Sequence, residues 1–121
     1  MTETQAFAEI SATYVALWNE PDADRRRRMI AELWSREGRH ILQPPQEIRE
    51  IAARASSAYE HWVGSEGLSF RGRDDAERLG DVVKFHWEAV AKTGEVFGVG
   101  LCFLVIAGDG RIERDYTFVV A

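Results

Sequence analysis

Residues 81–107 read DVVKFHWEAVAKTGEVFGVGLCFLVIA. The stretch predicts two long strands, Asp81–Ala91 and Glu95–Ala107, joined by a tight turn at Lys92-Thr93-Gly94. With Thr93-Gly94 as a two-residue loop, Lys92 pairs with Glu95 and the register follows outward. Trp87 then lies opposite Gly100, Phe85 opposite Cys102 and Ala89 opposite Gly98. One face carries Val83, Phe85, Trp87 and Ala89 with Gly98, Gly100, Cys102 and Leu104, so large residues face gaps. Such a surface is either one wall of a pocket or an ordinary core. The other face sets Phe97, Val99, Leu101 and Phe103 beside Lys84, His86 and Glu88. A strand apolar on both sides is expected to be covered on both. Helices on one side leave the Phe97, Val99, Leu101 and Phe103 row for a second copy of the chain, which predicts a homodimer.

Downstream, Gly108-Asp109-Gly110 turns the chain into a last strand, Arg111–Val120. If the turn is closed by a Gly108–Arg111 pair, Asp115 faces the same way as Leu104, Cys102 and Trp87. It is then the sole acid on that wall, with its pKa raised by desolvation. Pairing with an arginine or a solvated sheet edge is the plainer account of the same residue. Upstream, a charged loop fills Arg73–Gly80 and a short strand Leu68–Gly72. A helix is expected from near Pro45 to Gly64, with Ile48, Ile51, Ala52, Ala55, Tyr59 and Trp62 as its stripe. Arg39–Gln43 reads as a short strand that Pro44-Pro45 ends. Ala23–Trp34 and residues 3–18 read as amphipathic helices, the latter with Phe7, Ile10, Tyr14, Leu17 and Trp18 at helical spacing and Thr2 and Gln5 at capping-box spacing. Helices first and antiparallel strands after them give an α+β domain, residues 1–121, with three helices on one face of a strongly curved sheet. Mid-strand Gly98 and Gly100 favour that curvature.

The chain has 121 residues, 45% of them hydrophobic, which suits one domain with a true core. Its formal net charge of −5 disfavours general binding to nucleic acid or to anionic membrane surfaces. The four-arginine run Arg25–Arg28 wraps around a helix among nearby carboxylates and reads as a solvated face. Cys102 is the single cysteine, so no internal disulfide can form. That, with no signal-peptide pattern at Met1-Thr2-Glu3-Thr4 and no apolar run of membrane-spanning length, sets the expectation of a cytoplasmic protein. His40, His61 and His86 are scattered and give no metal-ligand spacing, and no cofactor motif is present.

Tyr14-Val15-Ala16-Leu17-Trp18-Asn19, Leu33-Trp34 to Gly38-Arg39, Val83 to Glu88 and Gly108 to Ile112 follow one another in a layout that resembles the SnoaL-like branch of the nuclear transport factor 2-like superfamily. The resemblance spans nearly the whole chain and implies a cone-shaped barrel with an apolar pocket between helices and sheet, often in a dimer. Members include polyketide cyclases, ketosteroid isomerases, dehydratases and non-enzymatic binding domains. In the ketosteroid isomerases an oxyanion-donating tyrosine falls where Tyr14 stands. Their general base, an aspartate before a proline, is matched by Gln43 before Pro44, and their second oxyanion donor falls near Cys102. An amide cannot abstract a proton in this pH range, so that mechanism is not expected here.

These readings leave two functions open. In the first, a small apolar carbonyl compound is isomerised, cyclised or dehydrated. Tyr14 polarises it, Gln43 orients it, Asp115 shuttles a proton, and Trp18, Trp34, Tyr59, Phe85, Trp87 and Cys102 line the pocket. In the second, the same fold binds a ligand or a protein without catalysis. The aromatics are core residues in one case and a pocket mouth in the other. Gln43 touches a ligand or merely caps the third helix.

Overall fold

The computed structural model describes residues 3–42 and 46–121, with the side chains of residues 3–7 outside the description. Thr2, Gln43 and Pro44-Pro45, expected to cap a helix, meet a ligand and bound the third helix, lie outside the described residues. Three helices pack on a seven-stranded, mostly antiparallel sheet. The elements run α1 (Glu3–Asn19), α2 (Ala23–Leu33), β1 (Trp34–Leu42), β2 (Gln46–Ile48), α3 (Ile51–Ala58), β3 (Ser69–Gly72), β4 (Glu77–Leu79), β5 (Val82–Val90), β6 (Val96–Ile106) and β7 (Ile112–Val119). The strand order is β2-β1-β7-β6-β5-β3, with β4 also on β5. Among the described residues the sheet is therefore open, with no pairing between β2 and β3 to close a barrel.

Both hairpins reach the expected register by a different route. Ala91 N–H donates to Glu95 O at 2.9 Å and Gly94 N–H to Ala91 O at 2.8 Å, which makes the loop three residues long rather than two. Gly94 supplies the left-handed closing residue, with φ of 89°. The register then shifts between Ala89 and Val90, where Phe97 is the extra residue of a bulge. The two offsets cancel, so Trp87 pairs with Gly100 and Phe85 with Cys102. The second hairpin repeats the device. Ala107 N–H donates to Arg111 O at 2.8 Å, Gly110 closes the loop at φ 87°, and a shift beside Ile106 restores the Leu104–Asp115 pair.

The bulge corrects the reading of the outer row. Phe97 turns to the helix side of the sheet, its ring 6.2 Å from that of Trp62, and stays 64% exposed at the cavity rim, while Val99 is buried within the single chain. Leu101 and Phe103 alternate with buried Cys102 and Leu104 and so stand on the opposite face, where Phe103 meets Phe118 edge-on.

Other elements depart from the sequence reading. Trp34 adopts extended backbone, so it begins β1 instead of ending α2, and Gly38 continues that strand rather than breaking it. A Cβ at Gly38 would come within 2.8 Å of Trp34 Cε3 and 3.2 Å of Ile112 O, so only glycine lets the strand lie this close. Ile48 belongs to β2, and α3 starts at Ile51. From Tyr59 to Ser65 the helix widens to π geometry, which rotates Tyr59 and Trp62 off the stripe that a regular helix would present. The Arg73–Gly80 loop contains β4.

β1 lies parallel to β7, in a sheet otherwise antiparallel, and aligns His40 with Asp115 and Leu42 with Thr117. The inner face packs against α1 around Leu17, Val83, Phe85, Leu104 and Ile112. Arg26 departs from the solvated reading given to its run. It is buried, donating from Nε and Nη2 to Glu20 O, from Nη2 also to Pro21 O and from Nη1 to Ser56 Oγ, and it covers the Tyr59 ring. It ties the α1–α2 turn to α3, while Arg25, Arg27 and Arg28 are exposed. No described helix is long and apolar enough to cross a membrane.

Candidate functional site

Residues directly opposite on neighbouring strands share a face. That rule assembles the site. His40 on β1, Asp115 on β7 and Leu104 on β6 form one row across the sheet, and Leu42, Thr117, Cys102 and Phe85 form the next. Tyr14 descends from α1 onto these rows and donates its hydroxyl hydrogen to Asp115 Oδ2. Thr117 Oγ1 donates to Asp115 Oδ1 at 2.8 Å. Having spent its hydrogen, Thr117 Oγ1 accepts from His40 Nε2 at 3.1 Å, and the same nitrogen lies 3.4 Å from Asp115 Oδ2. Behind Tyr14, Trp87 Nε1 donates to Cys102 Sγ at 3.3 Å, and that thiol faces the Tyr14 hydroxyl at 3.6 Å and Thr117 Oγ1 at 3.3 Å.

The donors fix the protonation pattern. Hydrogens from Tyr14 and Thr117 converge on Asp115, which acts as an acceptor, the role of a carboxylate. The network then assigns the His40 hydrogen to Nε2 and leaves the lone pair on Nδ1, which is buried and has no hydrogen-bond partner. Burial disfavours charge on this histidine and lowers its pKa, against the opposing pull of Asp115 and with a contribution from Arg54. His40 is accordingly a neutral imidazole at neutral pH. Asp115 is fully buried. Desolvation raises its pKa, and His40, Tyr14, Thr117 and Cys102 each resist that rise. Burial, followed by the charge of Asp115, also raises Tyr14 and Cys102.

A cavity of about 320 Å³ opens beside this cluster, between the helices and the inner face of the sheet. Tyr14, Trp18, His40, Arg54, Trp62, Phe70, Trp87, Phe97, Thr117 and Val119 are among its walls. Large rings face the gap left by Gly100. A Cβ there would fall inside the Trp87 indole, so glycine is what lets this ring lie flat against β6.

The residues singled out in the sequence divide into groups. Tyr14, Trp18 and Trp87 line the cavity. Asp115, Trp34, Phe85 and Cys102 lie in the wall behind that lining, with Asp115 reaching the cavity only through Tyr14, Thr117 and His40. Tyr59 is turned away under Arg26. Gln43 lies outside the described residues. The sequence reading weighed His40 only as a metal ligand and passed over Thr117 and Arg54. Thr117 carried a usable signal, since it shares strand parity with Asp115. His40 carried none, because its partner comes from a parallel pairing between opposite ends of the chain. Among the described residues, no three His, Cys, Asp or Glu side chains converge as metal ligands.

No family model and no curated relative matches the sequence. Similar solved structures do. A SnoaL-like family protein from Agrobacterium tumefaciens, named as a candidate isomerase, superposes with a TM-score of 0.87 at 24% identity, over 97% of this chain and 99% of that one. A protein from Jannaschia named as a candidate SnoaL-like polyketide cyclase gives 0.64 at 16% identity, over 98% and 89%. A de novo designed NTF2 fold protein gives 0.73 at 16% identity, over 98% and 88%. The chain thus has the SnoaL-like, NTF2-like fold. The fold by itself does not choose a function.

Proposed function

We propose that the chain binds a small, largely apolar carbonyl compound in this cavity and moves a proton on it, as an isomerase, cyclase or dehydratase does. One observation carries the reading. A neutral histidine stands in the cavity wall with its Nε2–H held toward Asp115 and its Nδ1 lone pair unclaimed. That is the arrangement of a general base with an orienting carboxylate behind it. Nδ1 is sealed by the packing around it, so a ligand meets it only when the neighbouring side chains move aside; the imidazolium that then forms is stabilised by Asp115 and by the Thr117 hydroxyl. Asp115 is closed off from the cavity, so it holds His40 and carries charge rather than meeting the ligand. Tyr14 lines the cavity and is the candidate donor toward a developing oxyanion, at the cost of its bond to Asp115.

The test is hydrogen–deuterium exchange at the α-carbons of 2-indanone, followed by proton NMR. Exchange above the buffer background in the native protein, and its loss in His40→Asn, is the expected result. Equal exchange in both proteins refutes the role of His40. No exchange in either favours the second reading, a non-catalytic binding domain, for which the seclusion of Asp115 speaks. We also propose a homodimer through the outer sheet face at Leu101, Phe103 and Phe118. Phe118 is 43% exposed in the single chain, and a monomer in sedimentation at micromolar concentration would remove that part of the reading.

A further inference from the structure

The cavity is apolar except at two places, the His40 wall and Arg54 on α3. Among the described residues no carboxylate lines it, and Arg54 is the one permanently charged residue of those walls. Among the described residues no side chain pairs with the Arg54 guanidinium, and its Nε is buried without a hydrogen-bond partner. The chain treats its buried arginine differently. Arg26 has its donors matched on Glu20 O, Pro21 O and Ser56 Oγ. Arg54 is part-buried, with only its Nε sealed off, and a planar fork of N–H donors at the wall of an apolar cavity matches a carboxylate in two parallel bonds.

We propose that Arg54 is the anion-binding group of this cavity and that the ligand is an amphipathic carboxylate, its apolar body among Trp18, Trp62, Phe70 and Trp87 and its carboxylate on Arg54. The inference rests on the cavity reading above and adds the ligand class to it. Size limits the body. At ~30 Å³ per water, 320 Å³ holds about ten water volumes, which suits one ring and a short chain. The charge also bears on His40. Burial chiefly holds that imidazole neutral, Asp115 opposes this, and Arg54 reinforces it. A carboxylate on Arg54 cancels the reinforcement, so ligand binding itself makes His40 a readier proton acceptor.

The experiment compares 4-phenylbutyrate with its neutral analogue 4-phenylbutanamide. Binding is read by calorimetry and by quenching of the cavity tryptophans. The native protein is expected to favour the acid by about ten- to a hundredfold, the range of a charge-assisted hydrogen bond. Arg54→Gln is expected to bring the two affinities to within about twofold by lowering that of the acid alone, and Arg54→Lys to keep part of the preference. Arg54 holds no described side-chain partner, so these variants leave no protein group stranded, and circular dichroism checks their folding. Equal binding of acid and amide to the native protein, or an acid preference that survives in Arg54→Gln, overturns the assignment while leaving the cavity reading intact. Failure of both probes to bind the native protein overturns the cavity reading and this inference together.

Discussion

Tyr14→Phe removes one hydroxyl and little else. The ring packs edge-on against Trp18 and Phe85 and tilted against Trp34, and phenylalanine keeps those contacts. What is lost is the hydrogen donated to Asp115 Oδ2 and the acceptor facing Cys102 Sγ. Asp115 is fully buried, so water does not replace the donor. A hydrogen bond to a charged group contributes about 1.5–3 kcal/mol, and a neutral one about 1 kcal/mol. The loss is the larger figure where Asp115 is ionised and the smaller one where it is protonated. For a domain of this size the larger figure corresponds to a fall in Tm of about 5–15 °C.

The loss also depends on pH, and its sign is set by the carboxyl. Burial raises the folded pKa of Asp115 above its unfolded value, and the Tyr14 hydrogen bond opposes that rise. A raised carboxyl pKa means that the native state holds its proton longer than the unfolded chain. Stability therefore declines as pH climbs from the unfolded pKa of about 3.9 through the folded one. Without Tyr14 the folded pKa moves higher and the decline continues further. The deficit of Tyr14→Phe against the native protein is thus smallest in acid and grows toward neutrality. Urea denaturation at constant m-value, from about pH 4 to about pH 8, measures it. A deficit under about 0.5 kcal/mol, or one that does not change with pH, would refute the view of Asp115 as a buried acceptor held by Tyr14.

Three further outcomes are expected. His40 should titrate below its ordinary pKa of about 6.5 in an NMR pH series and lower still in Asp115→Asn, which removes the carboxylate that favours its charged form. Because its folded pKa is depressed, its share of stability is present above about pH 6.5 and is lost as pH falls through the folded value. Gly100→Ala drives a methyl group into the Trp87 indole, forces the ring into the cavity and should cost about 1–3 kcal/mol while weakening 4-phenylbutyrate binding. Native-like stability and binding in that variant would show that the indole does not depend on the gap. Arg26→Ala strips hydrogen bonds from two backbone carbonyls and Ser56 and should cost about 2–3 kcal/mol in denaturant melts, against less than about 0.5 kcal/mol for exposed Arg28→Ala.

The sequence by itself determined the two hairpins and the helices-then-strands order, and it put Asp115 on the inner face only on the condition of a Gly108–Arg111 turn pair. These follow from local rules. A glycine at each turn limits the loop, strand parity alternates, and the face opposite Trp87 and Phe85 carries small residues. Even there the agreement rests on two offsets. Each loop is a residue longer than the simplest reading, and each hairpin restores its register with a bulge, because a left-handed Gly94 or Gly110 ends a three-residue loop as readily as a two-residue one. The bulge then moved Phe97 to the rim of the cavity beside Trp62, which no parity count could anticipate.

Only the tertiary structure decided what Asp115 touches. Its partner His40 arrives through the parallel pairing of β1 with β7, from opposite ends of the chain, and local pattern holds no information about that register. Arg26 and Arg54 make the same point on the helices. Both are arginines on helical segments, yet packing seals one against backbone carbonyls and leaves the other at the wall of an apolar cavity. Charge and spacing are written in the sequence, but which charges lose their water depends on what the rest of the chain lays over them.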